Sequence, residues 1–274
     1  MTNLEKSEKS ISMRRGIVVF AFNTDTVDYV RIADQTSQLA NCYTGLPVTL
    51  ITDHAADPKF RYDNIITIDP QGDNFRDGNI QWRNRGRHWA YTLTPYAETI
   101  LLDCDYLVLD SSLVSLFDTD FDYKLMHHNT NYAGAVYEQM GENSLPFVWA
   151  TVILFRKSKR AELLFDLVAK IERNYSYYCA LYNIRERNYR NDYAFAIANN
   201  ILNGYNLNES QGIPWKMFTI EEKIDQVLYD DDFLYVYSAG KSRVLARQNT
   251  HVMDKQYLQS AGFEQLVEAL VESA

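Results

Sequence analysis

No apolar run in these 274 residues approaches the roughly 18–20 that a membrane-spanning helix needs, so a helical membrane protein is not expected. Cysteine is scarce: Cys42, Cys104 and Cys179 are odd in number and far apart. They build neither a disulfide framework nor a structural zinc site, and point to a reducing, cytoplasmic setting. Glycine is sparse as well, and "AFNTDTVD" after the first apolar run contains none. A P-loop or dinucleotide fingerprint needs glycines there so that backbone N–H groups can cradle phosphate, so both are excluded. An excess of positive charge is also missing. The 27 Lys and Arg stand against 36 Asp and Glu, leaving −9, which is not the balance of a nucleic-acid coat or an anionic-membrane binder. The opening "MTNLEKSEKSISM" lacks the apolar stretch of a signal peptide. Residues 1–13 are expected to form a disordered tail and 14–274 a single folded domain.

What is present is an α/β pattern. "GIVVFAF" (16–22), "LPVTLITD" (46–53) and "NIITID" (64–69) read as three buried strands, with a helix over 25–42 between the first two. Strand, helix, strand at this spacing predicts a right-handed βαβ unit and a mostly parallel sheet flanked by helices. "RHWAYTLTPY" (87–96) reads as a helix stopped by Pro95. "YKLMHH" (123–128) and "FVWATVILF" (147–155) read as strands, the latter too apolar for an edge. "KRAELLFDLVAKIERNY" (159–175) places Leu163, Leu164, Leu167, Val168 and Ile171 on one helical face. "NDYAFAIANNIL" (191–202) predicts a helix capped by Asn191. Short strands at 216–220 and 242–246 and a final helix from Gln256 complete an elaborated C-terminal half.

The stretch "TILLDCDYLVLD" (99–110) is the informative one, because an apolar strand ends in two aspartates, Asp103 and Asp105. Such D-x-D pairs arise by chance about twice in a chain this rich in Asp, and Asp118/Asp120, Asp120/Asp122 and Asp230/Asp232 also match. Position separates them: only Asp103 and Asp105 directly end an apolar strand in the α/β half. In an extended chain both carboxylates would face one side and Cys104 the other. Ligands of open α/β sheets collect at the carboxyl ends of strands, and two hard oxygen donors there suit Mg²⁺ or Mn²⁺ shared with a diphosphate. The competing reading is a solvated turn between two strands.

The longer segment "AYTLTPYAETILLDCDYLVLDSSLVSLFD" (90–118) resembles the metal-motif region of GT-A fold glycosyltransferases. The order is a helix ending in a Thr-Pro-aromatic step, an apolar strand, D-x-D, a strand, and a short "LF" helix. The likeness extends from Gly16 to about Phe155 and is nearest to glycogenin-type retaining enzymes and small tailed-phage transferases. It implies a GT-A (Rossmann-like) sheet, a nucleotide-sugar donor, most often a UDP-sugar, and Mn²⁺ or Mg²⁺. It implies that Asp103 contacts ribose or metal and that Asp105 chelates the metal, with Cys104 between them against the donor. Ala21, Phe22, Asn23 and Asp53 would flank the uridine, and Arg83 or Arg87 would approach the diphosphate. In "QNTHVMDKQYL", His251 would be the third metal ligand and Lys255 a cation on the leaving diphosphate. Asp192 would face the sugar or acceptor hydroxyl as a catalytic group beside Asp105. Trp149, Ala150 and Thr151 stand where many members carry Asn-Ala-Gly.

For the acceptor, "RNYSYYCALYNIRERNYRNDY" (173–193) is locally basic and aromatic in an acidic chain. Tyr faces and Arg planes stack on sugars or exposed bases, so a glycan, a small molecule or a modified DNA base fits, with Arg185, Arg187 and Arg190 for phosphate. The plain alternative is that these tyrosines cover the core. A catalytically silent nucleotide-sugar-binding protein is the competing function.

Overall fold

The computed structural model describes residues 14–69, 74–76, 80–83, 85–131, 134–137, 145–185, 188–206 and 211–274. The expected tail 1–13 and Arg187 lie outside them. In the first half, the elements are β1 (Arg15–Phe20), α1 (Tyr29–Thr44), β2 (Val48–Thr52), β3 (Asn64–Thr67), β4 (Asn74–Arg76) and β5 (Ile80–Trp82). A 3₁₀ turn (Arg85–Trp89) then leads into α2 (Ala90–Leu93), β6 (Glu98–Asp103), β7 (Tyr106–Leu107), α3 (Ser112–Ser115), β8 (Tyr123–Met126), β9 (Asn129–Asn131) and β10 (Val136–Tyr137). The second half runs β11 (Trp149–Arg156), α4 (Lys159–Arg173), α5 (Tyr175–Leu181), α6 (Asn191–Leu202), β12 (Met217–Ile220), β13 (Gln226–Tyr229) and β14 (Phe233–Ser238). It closes with β15 (Lys241–Ala246), β16 (Thr250–Val252), α7 (Lys255–Leu258) and α8 (Ala261–Glu272).

The main sheet has the order β3-β2-β1-β6-β11-β8. β1, β2, β3 and β6 are parallel, and β11 runs against both β6 and β8. Both faces are covered, which is why its inner strands are continuous apolar runs rather than alternating ones. On one face Ile17 and Val19 pack with Ile32 and Leu39 of α1 and Phe263 and Leu270 of α8. On the other, Val18 and Phe20 pack with Leu164 and Val168 of α4 and Phe195 and Ile197 of α6. Gly16 has no side chain because the Tyr96 ring lies against it; a Cβ there would stand 2.4 Å from that ring.

Several expectations change. Leu163, expected on the buried face of α4, is 43% exposed, and Phe165 is buried instead; one residue's step turns a helical position by about 100° and off the stripe. β3 is an edge strand, and its Ile65 is 49% exposed; an apolar run does not distinguish edge from centre. α1 begins at Tyr29 rather than at residue 25, because the Asp28 carboxylate accepts the Arg31 N–H and starts the helix there. α6 has Arg190 at its cap position with no side-chain cap, while Asn191 Oδ1 accepts the Tyr189 hydroxyl. Only β15 of the antiparallel meander β13-β14-β15 was foreseen. Asp230 Oδ1 accepts the N–H groups of Asp232 and Phe233 and so closes the tight turn between β13 and β14.

The D-x-D segment is not one extended strand. Asp103 is the last residue of β6, Cys104 and Asp105 form a turn, and Tyr106 opens β7. β7 belongs to a second sheet of order β10-β9-β12-β16-β7. The chain therefore crosses between sheets at the two aspartates. No helix among the described residues is long and apolar enough to cross a membrane.

At the opposite end of β6, Glu98 is 5% exposed and bonded to Arg15 Nε at 2.7 Å and Arg156 Nε at 2.9 Å. Burial works to raise its carboxyl, but Arg15 and Arg156 outweigh burial and hold it below the usual range. A folded value below the unfolded one gives stability that is full above the ordinary carboxylate range and is lost as pH falls through the folded value. Glu98→Gln is therefore expected to cost about 2 kcal/mol at neutral pH and far less in acid. Thermal unfolding of both chains across pH checks this. A gap that stayed constant into strong acid would show that Glu98 acts through shape and not charge.

Candidate active site

β1 and β6 are paired so that Phe20 stands opposite Asp103, and both strands end at one cleft of about 210 Å³. Asp103, Cys104, Asp105, Asp192, His251, Lys255, Phe22 and Arg83 all line it. Of the other expected contacts, Ala21 is buried in the core. Asn23 caps the start of α1, its Oδ1 accepting the Val30 N–H, and its carbonyl accepts from Arg83 Nη1 at 2.9 Å. Asp53 is not among the lining residues; its Oδ1 accepts the Ala55 N–H and shapes the turn after β2. Arg87 is 1% exposed and sits behind Asp103, so its guanidinium is not presented to the cleft.

Arg87 Nη1 donates to Asp103 Oδ1 at 2.6 Å and Nη2 to the Thr151 carbonyl at 3.4 Å. Burial pushes the Asp103 carboxyl up, Arg87 pulls it down, and the Asp105 charge adds to the upward push. Burial prevails, so the Asp103 carboxyl lies above the usual carboxylate range even beside the Arg87 guanidinium. Asp105 is also buried, which alone would raise its carboxyl. Lys255 and His251 reverse that and hold it well below the usual carboxylate range. Lys255 Nζ donates to Asp105 Oδ2 and to the Met253 carbonyl. Asp105 Oδ1 faces His251 Nε2 at 3.5 Å and has no hydrogen-bond partner.

His251 comes from β16, whose register sets it opposite Tyr106 of β7, next to Asp105. The second sheet is thus what brings residues 146 to 150 positions later in the chain to the turn at Asp105. Asp192, in the first turn of α6, is locked by two contacts: Oδ1 accepts the Ala150 N–H at 3.0 Å and Oδ2 meets Arg190 Nη2 at 3.0 Å. Its position therefore follows β11.

A divalent cation is what the resemblance implies, and the donor set can be tested against it. Among the described residues no group of three His, Cys, Asp or Glu side chains stands ready to hold a metal ion. Two donors do converge, Asp105 Oδ1 and His251 Nε2, and the oxygen is buried without a partner. A hard carboxylate oxygen and an imidazole nitrogen suit Mn²⁺ or Mg²⁺, which keep positions for water and phosphate oxygens. The residues fit such an ion, with Asp103 lining the same cleft but bonded to Arg87.

Phe20, Tyr29, Trp82 and Met253 also line the cleft, with no signal in the sequence to place them there. So do Trp149 and Thr151, from the strand where many members carry Asn-Ala-Gly, and Arg190, expected on an acceptor phosphate. In the sequence Trp149 stands out only as a departure from the family pattern, because aromatic residues at strand ends look like core. In the aromatic segment, Tyr175 and Tyr189 are buried in the core, and Arg190 is paired with Asp192. Tyr177 is 64% exposed, and Tyr178 and Tyr182 are half-buried.

No protein-family model matches this chain, and no curated protein does. Solved structures do match. An active-site mutant of LgtC is 15% identical, covers 94% of this chain and 95% of its own, and superposes with a TM-score of 0.54. The galactosyltransferase LgtC in complex with donor and acceptor sugar analogues gives the same identity and coverage and a TM-score of 0.53. The glycosyltransferase GlyE of Streptococcus pneumoniae TIGR4 is 13% identical over 73% of this chain, with a TM-score of 0.42. This chain spans only 44% of GlyE's length. With a mostly parallel sheet between helices and an aspartate pair where β6 hands over to a second sheet, the chain has the GT-A fold of LgtC.

Proposed function

We propose that the chain is a metal-dependent glycosyltransferase that moves a sugar from a nucleotide sugar, a UDP-sugar first among them, to an acceptor hydroxyl. One observation carries the reading. Two carboxylates, an imidazole and a lysine converge in a cleft at the carboxyl ends of β1 and β6, on a fold shared with a transferase solved with donor and acceptor sugar analogues.

Transfer breaks the bond between the sugar C1 and a diphosphate oxygen, which keeps the electron pair. The acceptor oxygen bonds to C1, and its proton passes to the departing diphosphate. The chemistry needs positive charge where the diphosphate leaves, and Lys255 and Arg83 are the side chains assigned to it. A Mn²⁺ or Mg²⁺ would be held by Asp105 and His251 with Asp103 alongside, and would supply Lewis-acid stabilisation of that charge. Phe22 and Tyr29 at the end of β1 and the start of α1 offer apolar walls for the base. Asp192, held by the Ala150 N–H and Arg190, is assigned to a sugar or acceptor hydroxyl, and its fixed carboxylate orients that group without moving. Retention of anomeric configuration belongs to the proposal through family likeness.

A glycan or small-molecule hydroxyl is the preferred acceptor. A modified base in phage DNA remains the second reading; it rests on Arg185 and the surface rings Tyr177, Tyr178 and Tyr182, since Arg190 is engaged with Asp192. The test is UDP release with Mn²⁺ across a panel of UDP-sugars, with and without hydroxymethylated DNA. Metal-dependent release from one sugar, in a cytoplasmic-type reducing buffer, is the expected result. Nucleotide binding with no release from any sugar would replace the transferase by a silent binding protein. Stimulation by the DNA would move the acceptor to nucleic acid.

A further inference from the structure

Three polar side chains form a row across the second sheet, and the transfer chemistry does not use two of them. Asn129 of β9, Thr219 of β12 and His251 of β16 lie on neighbouring strands, with Thr219 directly opposite His251 in the register. Asn129 and Thr219 are fully buried and His251 is 6% exposed. Their surroundings are apolar: Met217, Ile220 and Val252 lie within the same strands and belong to the core. Polar groups at that depth are as a rule hydrogen-bonded; Asn129 Oδ1 is, while its Nδ2 has no partner among the described residues.

The direction can be followed atom by atom. Thr219 Oγ1 donates its single proton to Asn129 Oδ1 at 3.0 Å. The same oxygen lies 3.3 Å from His251 Nδ1, and with its proton committed it can only accept. As a neutral imidazole, the form that can ligate a metal, His251 must then carry its proton on Nδ1, which leaves a lone pair on Nε2. That lone pair faces Asp105 Oδ1 at 3.5 Å, and Oδ1 has no hydrogen-bond partner. Two acceptors turned toward one another in a buried place repel unless a cation stands between them. If the proton were on Nε2 instead, it would donate to Asp105, and the pair would close to an ordinary distance of about 2.9 Å. Trp149 stands edge-on to the imidazole, 6.3 Å between ring centres, and limits its rotation.

We infer that Thr219 and Asn129 are positioning residues which hold His251 as the Nδ1–H tautomer, so that Nε2 is presented to the divalent cation shared with Asp105. The inference rests on the metal-dependent reading above. It assigns the row a purpose beyond packing: the proton position on His251 is set two strands away, and the ligand atom is ready before any ion arrives.

The tautomer can be read directly in metal-free protein labelled with ¹⁵N-histidine, from long-range proton–nitrogen correlations, with the His251 signals identified by their loss in His251→Gln. The parent chain and Thr219→Ser are expected to show the Nδ1–H pattern. Thr219→Val, which keeps the shape and removes the hydroxyl, is expected to lose it. Calorimetric titration of Mn²⁺ in the presence of UDP should then give affinity about tenfold weaker in Thr219→Val and near the parent value in Thr219→Ser. An Nε2–H pattern in the parent overturns the inference whatever the variants do. Unchanged Mn²⁺ affinity in Thr219→Val overturns it as well. If the parent binds no Mn²⁺ even with UDP, the metal-dependent reading fails and the inferred role toward a cation fails with it, while an Nδ1–H pattern would still locate the proton.

Discussion

Asp105→Asn is expected to abolish metal-dependent UDP release, by about a thousandfold or more, while leaving the fold intact. The substitution keeps the shape of the side chain and removes its charge. Oδ1, the buried oxygen that faces His251 Nε2, is the atom whose charge matters. Replaced by a neutral amide, it can no longer share a divalent ion with the imidazole. The loss is not expected to spread into the fold. Lys255, whose side chain is 22% exposed, keeps the Val252 and Met253 carbonyls within reach and can turn its ammonium toward water. Because Asp105 is held well below the usual carboxylate range, it stays ionised through mildly acid pH. Any acid limb in the parent activity therefore belongs to another group. Circular dichroism and UDP release measured on the same preparation separate the two effects. Full release by a folded Asp105→Asn chain would remove the aspartate turn from the chemistry.

The second large effect is on stability. Arg87→Met is expected to cost about 3–5 kcal/mol, because it leaves one partner of a buried ion pair unpaired. Arg87 is one of the largest fully buried side chains, and its fork joins Asp103, the Leu102 carbonyl and the Thr151 carbonyl. It therefore ties the 3₁₀ turn before α2 to the ends of β6 and β11. A methionine fills the volume but serves none of the three acceptors. Arg87→Lys should recover only part of the loss, since an ammonium on a shorter reach cannot make the same fork. Urea unfolding measures both, and a shift of midpoint without a change of slope is the expected form. A midpoint equal to the parent's would mean that Asp103 is held in place by its strand and not by Arg87. Surviving protein should also show weaker donor binding, because Asp103 is then at liberty to turn.

The parts of this fold legible in the sequence are those with long, continuous signals. β1, β2, β6 and β11 are buried on both faces, so their apolar runs stand out, and α4 shows its buried stripe directly. The aspartate pair was legible because it interrupts such a run at its carboxyl end. The second sheet was mostly not legible. β7, β9 and β16 have two or three residues each, too few for any period to show. Yet it is this sheet that carries His251 to Asp105. Arg87 could be listed among candidate diphosphate contacts, but no local pattern reveals that its guanidinium turns inward to Asp103. Nor could Trp82 and Trp149 be told from core residues, since a large aromatic at a strand end reads the same in either place. In the meander, β13 and β14 were hidden because β14 is apolar on both faces, with Leu234 and Val236 turned in and Phe233 and Tyr237 turned out, so no alternation shows.

The placing of β16 between β12 and β7 has a consequence for how the protein is made. Lys255 follows Asp105 by 150 positions. At about 5–20 residues per second, a ribosome needs on the order of ten seconds to travel from one to the other. During that interval the nascent chain carries the paired aspartates with neither the imidazole nor the ammonium that later faces them. β7 and β12 meanwhile wait with unpaired edges for a strand not yet synthesised. A partly made chain thus has the strands of its main sheet but no competent cleft; the arrival of Thr250–Val252 seals the second sheet, and Lys255 just after it completes the site.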